Sequence, residues 1–445
     1  MTKNLRKVTL LIGDIILLYF SLWLALFLRY FEQPSNDLYQ THLIPFSIVF
    51  IFWLVIMFID GWYELKPINK QSFYSRIYRD FLISILIAVA VFYFAIDRFA
   101  VIRPQTILVL DIVIFTVLFI LWRRSFAKFV RLQKILNRVI IVGENDASAE
   151  LAEEISKNTD LGFELVGTYQ TSNSQHKNLF EIIQSKKINT VITAIDPESN
   201  PKLAKSLFSC IKLKVNFYNL ASFYESITGK IPVTTIKHNW FLENLTEGGK
   251  KSYDSIKRLA DLILSLVGLA VTLPLWVIIT VIIKIESKGP AIYMQERVGL
   301  GGNNFVLIKF RSMVNNAEDN GAVWAQKNDL RVTRFGNFLR RARLDELPQF
   351  INVLKGEMSF IGPRPERPQF VEELSEQIPF YKERLLIKPG LTGWAQTVGP
   401  AYGGSKEESL QKLQYDLYYI KNRSLILDLS ILLKTIKIVI SRKGR

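Results

Sequence analysis

Four apolar runs crowd the first third of the chain, at residues 8–28, 43–59, 81–96 and 106–122. Most approach the roughly 20 residues that a membrane-spanning helix needs, and the third is the shortest. Arg6 and Lys7 precede the first run, which is too long for the apolar region of a signal peptide and lacks a small-residue cleavage site. It is therefore read as a membrane anchor. Lys3, Arg6 and Lys7 lie before the first run, Lys66, Lys70, Arg76 and Arg79 between the second and third, and Arg123, Arg124, Lys128, Arg131 and Lys134 after the fourth. The other two loops hold Arg29 on one side and Arg98 and Arg103 on the other, so the excess of basic residues predicts both termini in the cytoplasm.

Charge and cysteine use narrow the chemistry. The sequence has 56 Lys plus Arg against 40 Asp plus Glu, a net charge of +16, which favours anionic partners such as lipid headgroups, nucleotides or nucleic acid. A single cysteine, Cys210, excludes an internal disulfide. His42, His176 and His238 are far apart, which argues against a Cys/His zinc site and leaves carboxylates as the candidate acids and bases.

From Asn137 onward, short β-branched runs alternate with helical stretches: RVIIVG, ASAELAEEISK, FELVGTY, NTVITAI, PKLAKSLFSCIK and VNFYNL. This alternation predicts a small parallel, Rossmann-like α/β sheet. The dinucleotide fingerprint is absent, because Asn145 and Ser148 stand where its second and third glycines belong after Gly143. A scaffold or regulatory module is the expected role.

A further apolar run, residues 259–285, carries Pro274 at its middle. Length alone makes it a fifth span. Lys250, Lys251, Lys257 and Arg258 before it and Lys284, Lys288 and Arg297 after it place both flanks on the cytoplasmic side. Pro274 removes a backbone N–H and clashes with the preceding turn. A re-entrant helix that enters one leaflet, bends at Pro274 and returns satisfies both facts; a proline-kinked span is the alternative. Residues 424–440 are apolar but include Asp428, Lys434 and Lys437 and end in SRKGR, a pattern for a helix lying in the interface or for a domain core.

Polar residues concentrate between Gly289 and Gln396. Asp345 and Glu346 stand in RARLDELPQFINVL, where Leu344, Leu347, Ile351 and Leu354 recur at helical spacing and Pro348 suits a first turn. The pair is expected at a helix N-terminus, where a capping Asp and a first-turn Glu need no further role. The surroundings suggest one. Arg340, Arg341 and Arg343 precede the pair, Lys309 and Arg311 lie in KFRSM, and Arg364 and Arg367 lie in GPRPERP, with Pro363 and Pro365 holding the chain around Arg364 extended. Two carboxylates among so many cations suggest a phosphate site. One of them can serve as nucleophile or as ligand for Mg²⁺, which takes few carboxylates and completes its shell with water and phosphate oxygens.

The stretch from Ser255 to Ile440 resembles the bacterial sugar transferase family, the monotopic phosphoglycosyl transferases that start polyprenyl-linked glycan assembly. The resemblance lies in IKRLADLILSLVGLAVTLPLW, GPAIYMQERVG, FVLIKFRSM, LDELPQFINVLKGEMSFIGPRPERP, KPGLTGWAQ and KLQYDLYYIKNRSLILDLSIL. The four spans, the Rossmann-like module and FYESITGKIP resemble the extension of its large members, and GAVWA and YGGSKEESLQKLQYDLYYIKN its exopolysaccharide branch. It implies that Asp345 attacks the sugar-linked phosphate of a UDP-sugar, releasing UMP, and that undecaprenyl phosphate then takes the phosphosugar. It also implies Glu346 on Mg²⁺, Arg364 on the nucleotide diphosphate, and Lys257 and Arg258 near the lipid phosphate. Lys309 and Arg311 are further substrate-binding candidates, and Pro274 is structural. Leu273 stands before Pro274 where many members have Ser.

The expected architecture is a membrane protein with four transmembrane helices over 1–135, a degenerate Rossmann-like module over 136–249, and an α-rich catalytic domain over 250–445 with a re-entrant helix at 259–285. It is expected in the bacterial inner membrane as a homodimer, with its catalytic domain on the cytoplasmic face and no nucleic-acid partner. Two alternatives are a membrane-anchored nucleotide-sugar dehydratase, for which Tyr253 and Lys257 have the required spacing, and a non-enzymatic nucleotide-sensing scaffold.

Overall fold

In the computed structural model of the chain, the structure describes residues 3–63, 70–92, 105–134, 137–158, 162–170, 179–196, 200–245, 250–315, 317, 329–400 and 405–440. The GAVWA stretch, Lys66, Arg98, Arg103, the SRKGR end and the residues bordering both expected domain boundaries, 135–136 and 246–249, lie outside these. The chain forms two compact units, Met1–Thr228 and Gly229–Arg445.

The first unit opens with four helices, α1 (Lys3–Tyr30), α2 (Asn36–Asp60), α3 (Lys70–Ala90) and α4 (Gln105–Lys134). Segments of α1, α2 and α4 are long and apolar enough to cross a membrane. The expected third span, residues 81–96, overlaps the second half of α3, whose first half carries Arg76, Arg79 and Asp80; among the described residues α3 is not a candidate span, and residues 93–96 lie outside the described set. Asp60 pairs with Arg79, and Asp80 accepts from Trp62 Nε1 at 2.5 Å. Leu18, Leu22, Phe46, Phe50, Trp53 and Phe115 are buried in the bundle core. Two buried polar contacts key α1 to α4, Arg123 Nη2 to Asp14 Oδ2 at 2.5 Å and Ser21 Oγ to Asp111 Oδ1 at 2.6 Å. An unpaired charge in an apolar bundle is costly, so these pairs favour one register over its neighbours.

The second half of this unit is a parallel four-stranded sheet in the order β2-β1-β3-β4, with β1 (Arg138–Val142), β2 (Glu164–Tyr169), β3 (Thr190–Thr193) and β4 (Asn216–Asn219). Val139, Ile141 and Ile192 pack on α5 (Asp146–Lys157) and α8 (Leu220–Thr228), while Ile140, Val142 and Val191 pack on α6 (Leu179–Ser185) and α7 (Pro201–Cys210). Alternating strand residues thus serve two helical layers, as the β/α alternation requires. Gly143 has φ +97°, a conformation open to glycine. Asn145 Oδ1 accepts from the Ser148 N–H at 2.8 Å and Ser148 Oγ from the Asn145 N–H at 2.9 Å. The two residues that replace the fingerprint glycines therefore cap α5 with their own side chains.

The second unit is helix-rich: α9 (His238–Asn244), α10 (Lys251–Glu286), α11 (Arg334–Ala342), α12 (Gln349–Lys355), α13 (Pro368–Gln377), α14 (Trp394–Val398), α15 (Lys406–Asn422) and α16 (Leu425–Ile440). An antiparallel hairpin, β5 (Ile292–Val298) and β6 (Asn304–Phe310), and a parallel pair, β7 (Ser359–Ile361) and β8 (Gly390–Thr392), complete it. The helix α10 starts at Lys251, takes in the basic pair Lys257 and Arg258, and continues past Pro274 to Glu286. At 1.5 Å per residue it would be about 54 Å long if straight. Both its halves pack on this unit. Arg258 donates to the carbonyls of Val353 at 2.7 Å and Leu354 at 2.8 Å, and Asp261 accepts from the Phe360 N–H at 3.0 Å. Farther on, Ile279 and Ile283 join a core with Phe310 and Leu339. A Cβ at Gly268 would come 2.7 Å from the Phe350 ring, so glycine there lets α12 approach α10 closely. The opposite side of α10 leaves Leu259, Ile263, Val271 and Val277 exposed.

The closing helix α16 buries Ile431 with Ile361 and Tyr419, and Asp428 accepts from Tyr253, Lys257 and Tyr419. Ile426 and Leu429 remain exposed on it.

Candidate active site

The Asp-Glu pair does not begin a regular α-helix, which corrects the expectation from the leucine spacing. Residues Leu344–Glu346 form a 3₁₀ turn, and α12 starts only at Gln349 with Pro348 as its N-cap. The cause is Arg343, whose left-handed backbone (φ 55°) ends α11 and redirects the chain. Asp345 is buried at 9% exposure and Glu346 is partly covered.

The hairpin supplies the opposite wall. Lys309 pairs with Tyr293 in the β5–β6 register, and its ammonium lies 4.9 Å from that ring's centre. Arg311 follows on the same chain segment but is spent on structure: it donates to the Lys288 carbonyl at 3.0 Å and to the Ser287 carbonyl at 2.7 Å, binding the end of α10 to the hairpin. Arg340 Nε donates to Ser312 Oγ at 2.8 Å. From the proline-rich loop after β7, Arg364 Nη2 reaches Glu346 Oε1 at 2.8 Å, while Arg343 Nη1 lies 3.7 Å from Oε2.

These groups border a cavity of about 480 Å³. Among the described residues, ten basic side chains line it against four acidic ones, Asp345, Glu346, Glu366 and Asp416. Such a wall attracts a polyanion. Burial foremost, then the Glu346 charge, pushes Asp345 up to about 6 against the pull of Lys309, Arg340 and Arg364. Burial acts to raise Glu346 too, but Arg364 and Arg343 outweigh it and hold that carboxyl below its usual range. Burial, reinforced by Arg297, brings Lys309 down to about 8. Two adjacent carboxyls thus differ in proton affinity because only Glu346 has arginines in direct contact.

The structure brings together Asp345, Glu346, Lys309, Arg311 and Arg364 on one cavity. Lys257 and Arg258 are not among its lining residues: Lys257 Nζ lies 3.0 Å from Asp428 and Arg258 holds the C-terminal carbonyls of α12. Tyr253 shares Asp428 with Lys257, so the spacing that suggested a dehydratase pair serves a helix–helix contact. Sequence reasoning did not single out Arg384, nor Lys412 and Asp416 of α15, although the last two stand in the KLQYDLYYIKN stretch; all three line the cavity.

No group of three His, Cys, Asp or Glu residues able to enclose a metal occurs among the described residues. Mg²⁺ does not require one, since one or two carboxylates with water and substrate phosphate oxygens suffice. The adjacent Asp345 and Glu346 on the cavity wall are a donor set of that kind.

A family model described as bacterial sugar transferase matches residues 252–442. Among similar proteins, a UDP-N-acetylgalactosamine-undecaprenyl-phosphate N-acetylgalactosaminephosphotransferase of Aeromonas hydrophila is 41% identical over 238 residues, 54% of this chain and 55% of that protein. The chain thus aligns with about half the length of that relative. A UDP-glucose:undecaprenyl-phosphate glucose-1-phosphate transferase of Xanthomonas campestris pv. campestris is 33% identical, covering 72% of this chain and 70% of that protein. An undecaprenyl-phosphate galactose phosphotransferase of Salmonella typhimurium is 28% identical across 99% of this chain and 98% of its own length. With the motif-bearing residues gathered on one cationic cavity, the chain belongs to the bacterial sugar transferase family.

Proposed function

We propose that this protein transfers a sugar 1-phosphate from a UDP-sugar to undecaprenyl phosphate and releases UMP, as the first membrane step of exopolysaccharide or related glycan assembly. The observation that carries the reading is the carboxylate pair Asp345–Glu346 in a cavity whose other charged walls are mostly cationic. The names of relatives that pair UDP-sugars with undecaprenyl phosphate support the choice of substrates.

An Asp345 carboxylate oxygen attacks the sugar-linked phosphorus, and the bond from that phosphorus to the bridging oxygen breaks, so UMP departs with the oxygen. The phosphosugar remains as an acyl phosphate on Asp345. A phosphate oxygen of undecaprenyl phosphate then attacks the same phosphorus and the aspartyl bond breaks, restoring the carboxylate. Covalent transfer fits an exchange of one diphosphate for another, since two bulky substrates need not be bound together. Arg364 and Lys309 meet the diphosphate. Glu346, with Asp345 beside it, would hold Mg²⁺, which when bound supplies charge neutralisation on the phosphates.

The reading includes a re-entrant α10, with the catalytic unit on the cytoplasmic face of the inner membrane and the Rossmann-like module, expected over 136–249 and in the structure grouped with the first unit only as far as Thr228, serving dimerisation or regulation. Contacts from both halves of α10 to one folded unit support it, because a through-going helix sends its ends to opposite sides. The test is UMP release from UDP-sugars by membranes holding the protein, with and without undecaprenyl phosphate. No UMP with any UDP-sugar would overturn the proposal.

A further inference from the structure

The loop that presents Arg364 cannot anchor itself. Pro363 and Pro365 have no N–H, and they fix φ at their own positions without fixing where the loop sits. Its carbonyls are held from outside. Arg384 Nη2 donates to the Arg364 carbonyl at 3.0 Å, Arg297 Nη1 to the Pro365 carbonyl at 3.0 Å, and the Val298 N–H to the Glu366 carbonyl at 3.0 Å. Three consecutive carbonyls are therefore caught by two arginines and a strand amide. The Glu366 carboxylate stands between the same arginines, 3.7 Å from Arg297 Nη1 and 4.0 Å from Arg384 Nη1.

Both arginines are themselves fixed. Arg384 is 4% exposed and also donates to Asp416 Oδ2 and to Tyr381 Oη, each at 2.8 Å. Arg297 gives its second amine to Gln295 Oε1 at 2.6 Å. A guanidinium suits this task better than an ammonium, because its planar fork bonds two acceptors in set directions.

We propose that Arg297 and Arg384 are positioning residues for donor binding: they clamp the main chain of the Arg364 loop from two sides and so pre-aim its guanidinium at the donor diphosphate. This rests on the reading that Arg364 contacts that diphosphate. Pre-organisation lowers the ordering cost of binding, so loss of the clamp weakens affinity without removing a direct contact.

The test is a double-mutant cycle on the full-length protein in lipid nanodiscs, with UDP as the probe and its Kd read by calorimetry. Arg297→Met is expected to weaken UDP binding by about tenfold in the wild-type background and by less than about twofold in an Arg364→Ala background. An equal loss in both backgrounds would mean that Arg297 acts independently of Arg364, and an unchanged Kd would mean that no clamp is needed; either overturns the proposal. Should Arg297→Met fail to fold by size exclusion and circular dichroism, Arg384→Lys, which keeps a cation beside Asp416, takes its place in the cycle with the same deciding outcomes. Failure of wild-type protein to bind UDP would sink the donor reading and the clamp together, whereas tight wild-type binding insensitive to these variants sinks the clamp alone.

Discussion

Arg364 donates to Glu346 over 2.8 Å, joining a proline-framed loop to the carboxylate pair 18 positions earlier. The contact neutralises a side chain that is half exposed to the cavity, with 46% of its surface accessible. On the proposed reading, a donor diphosphate would compete with Glu346 for this guanidinium, exchanging one anion for another on Arg364 and freeing a Glu346 oxygen for a cation.

Asp345→Asn is expected to abolish UMP release, because an amide is a poor nucleophile, while stability changes by no more than about 1 kcal/mol for a near-isosteric change. Glu346→Gln should leave only residual turnover, and excess chelator should silence the wild-type enzyme. Intact-mass analysis after incubation with UDP-sugar and no lipid acceptor should find a phosphosugar adduct that is missing from Asp345→Asn. Near-normal UMP release from Asp345→Asn rules out its role as nucleophile.

Lys309 gives the site a pH dependence of definite sign. With its ammonium brought down to about 8, chiefly by burial and then by Arg297, it is charged below that pH and neutral above. UDP affinity should fall as pH rises through about 8, since two units above neutrality only about a tenth of such a group still carries a proton at pH 9. Lys309→Arg stays charged and should bind UDP about equally at pH 7 and 9. The same alkaline fall in that variant would assign the titration to another group.

The elements were legible where one periodicity ran unbroken. RVIIVG and NTVITAI became paired parallel strands, and the missing fingerprint glycines proved to be a capping Asn145 and Ser148. The Asp-Glu pair, Lys309 and Arg364 could be named because each sits in a compact polar motif. The helix N-terminus expected at Asp345 and Glu346 proved to be a 3₁₀ turn, because leucine spacing carries no information about Arg343 turning left-handed. Arg384 and Asp416 were invisible for a different reason. Their partners are 20 and 32 positions away, and only the fold brings them beside the Arg364 loop.

Arg258, expected near the lipid phosphate, has two main-chain acceptors within its own unit. Its two bonds to the carbonyls of Val353 and Leu354 tie α10 to the end of α12. Arg258→Ala leaves those carbonyls without their charged donor and should cost about 1–3 kcal/mol, read as a lower melting temperature in a thermal-shift assay. Arg258→Lys should restore part of the loss. If Arg258→Ala melted like wild type while its KM for undecaprenyl phosphate rose strongly, the lipid-phosphate role would be the better account.

The re-entrant reading of α10 predicts that both its ends lie in the cytoplasm. Cys210 is fully buried, so a Cys210→Ser background removes the native thiol from consideration. Ser252, in the first turn of α10, and Lys288, just past its end, are exposed, and Lys288 is a better reporter than Ser287, whose hydroxyl accepts from Arg311 at 2.8 Å. Cysteines at 252 and 288 should both resist an impermeant thiol reagent in intact cells and both react after permeabilisation. Labelling of position 288 in intact cells would mean a through-going helix that carries Asp345 and Arg364 away from cytoplasmic UDP-sugar. Pro274→Ala tests the cause of the bend that the re-entrant reading requires, since it returns an N–H to the carbonyl of Ala270 and removes a helix penalty of about 3 kcal/mol. The variant should straighten in part and lose activity, because Ile279 and Ile283, which join α10 to the core of Phe310 and Leu339, would be pulled from the wall that carries Lys309.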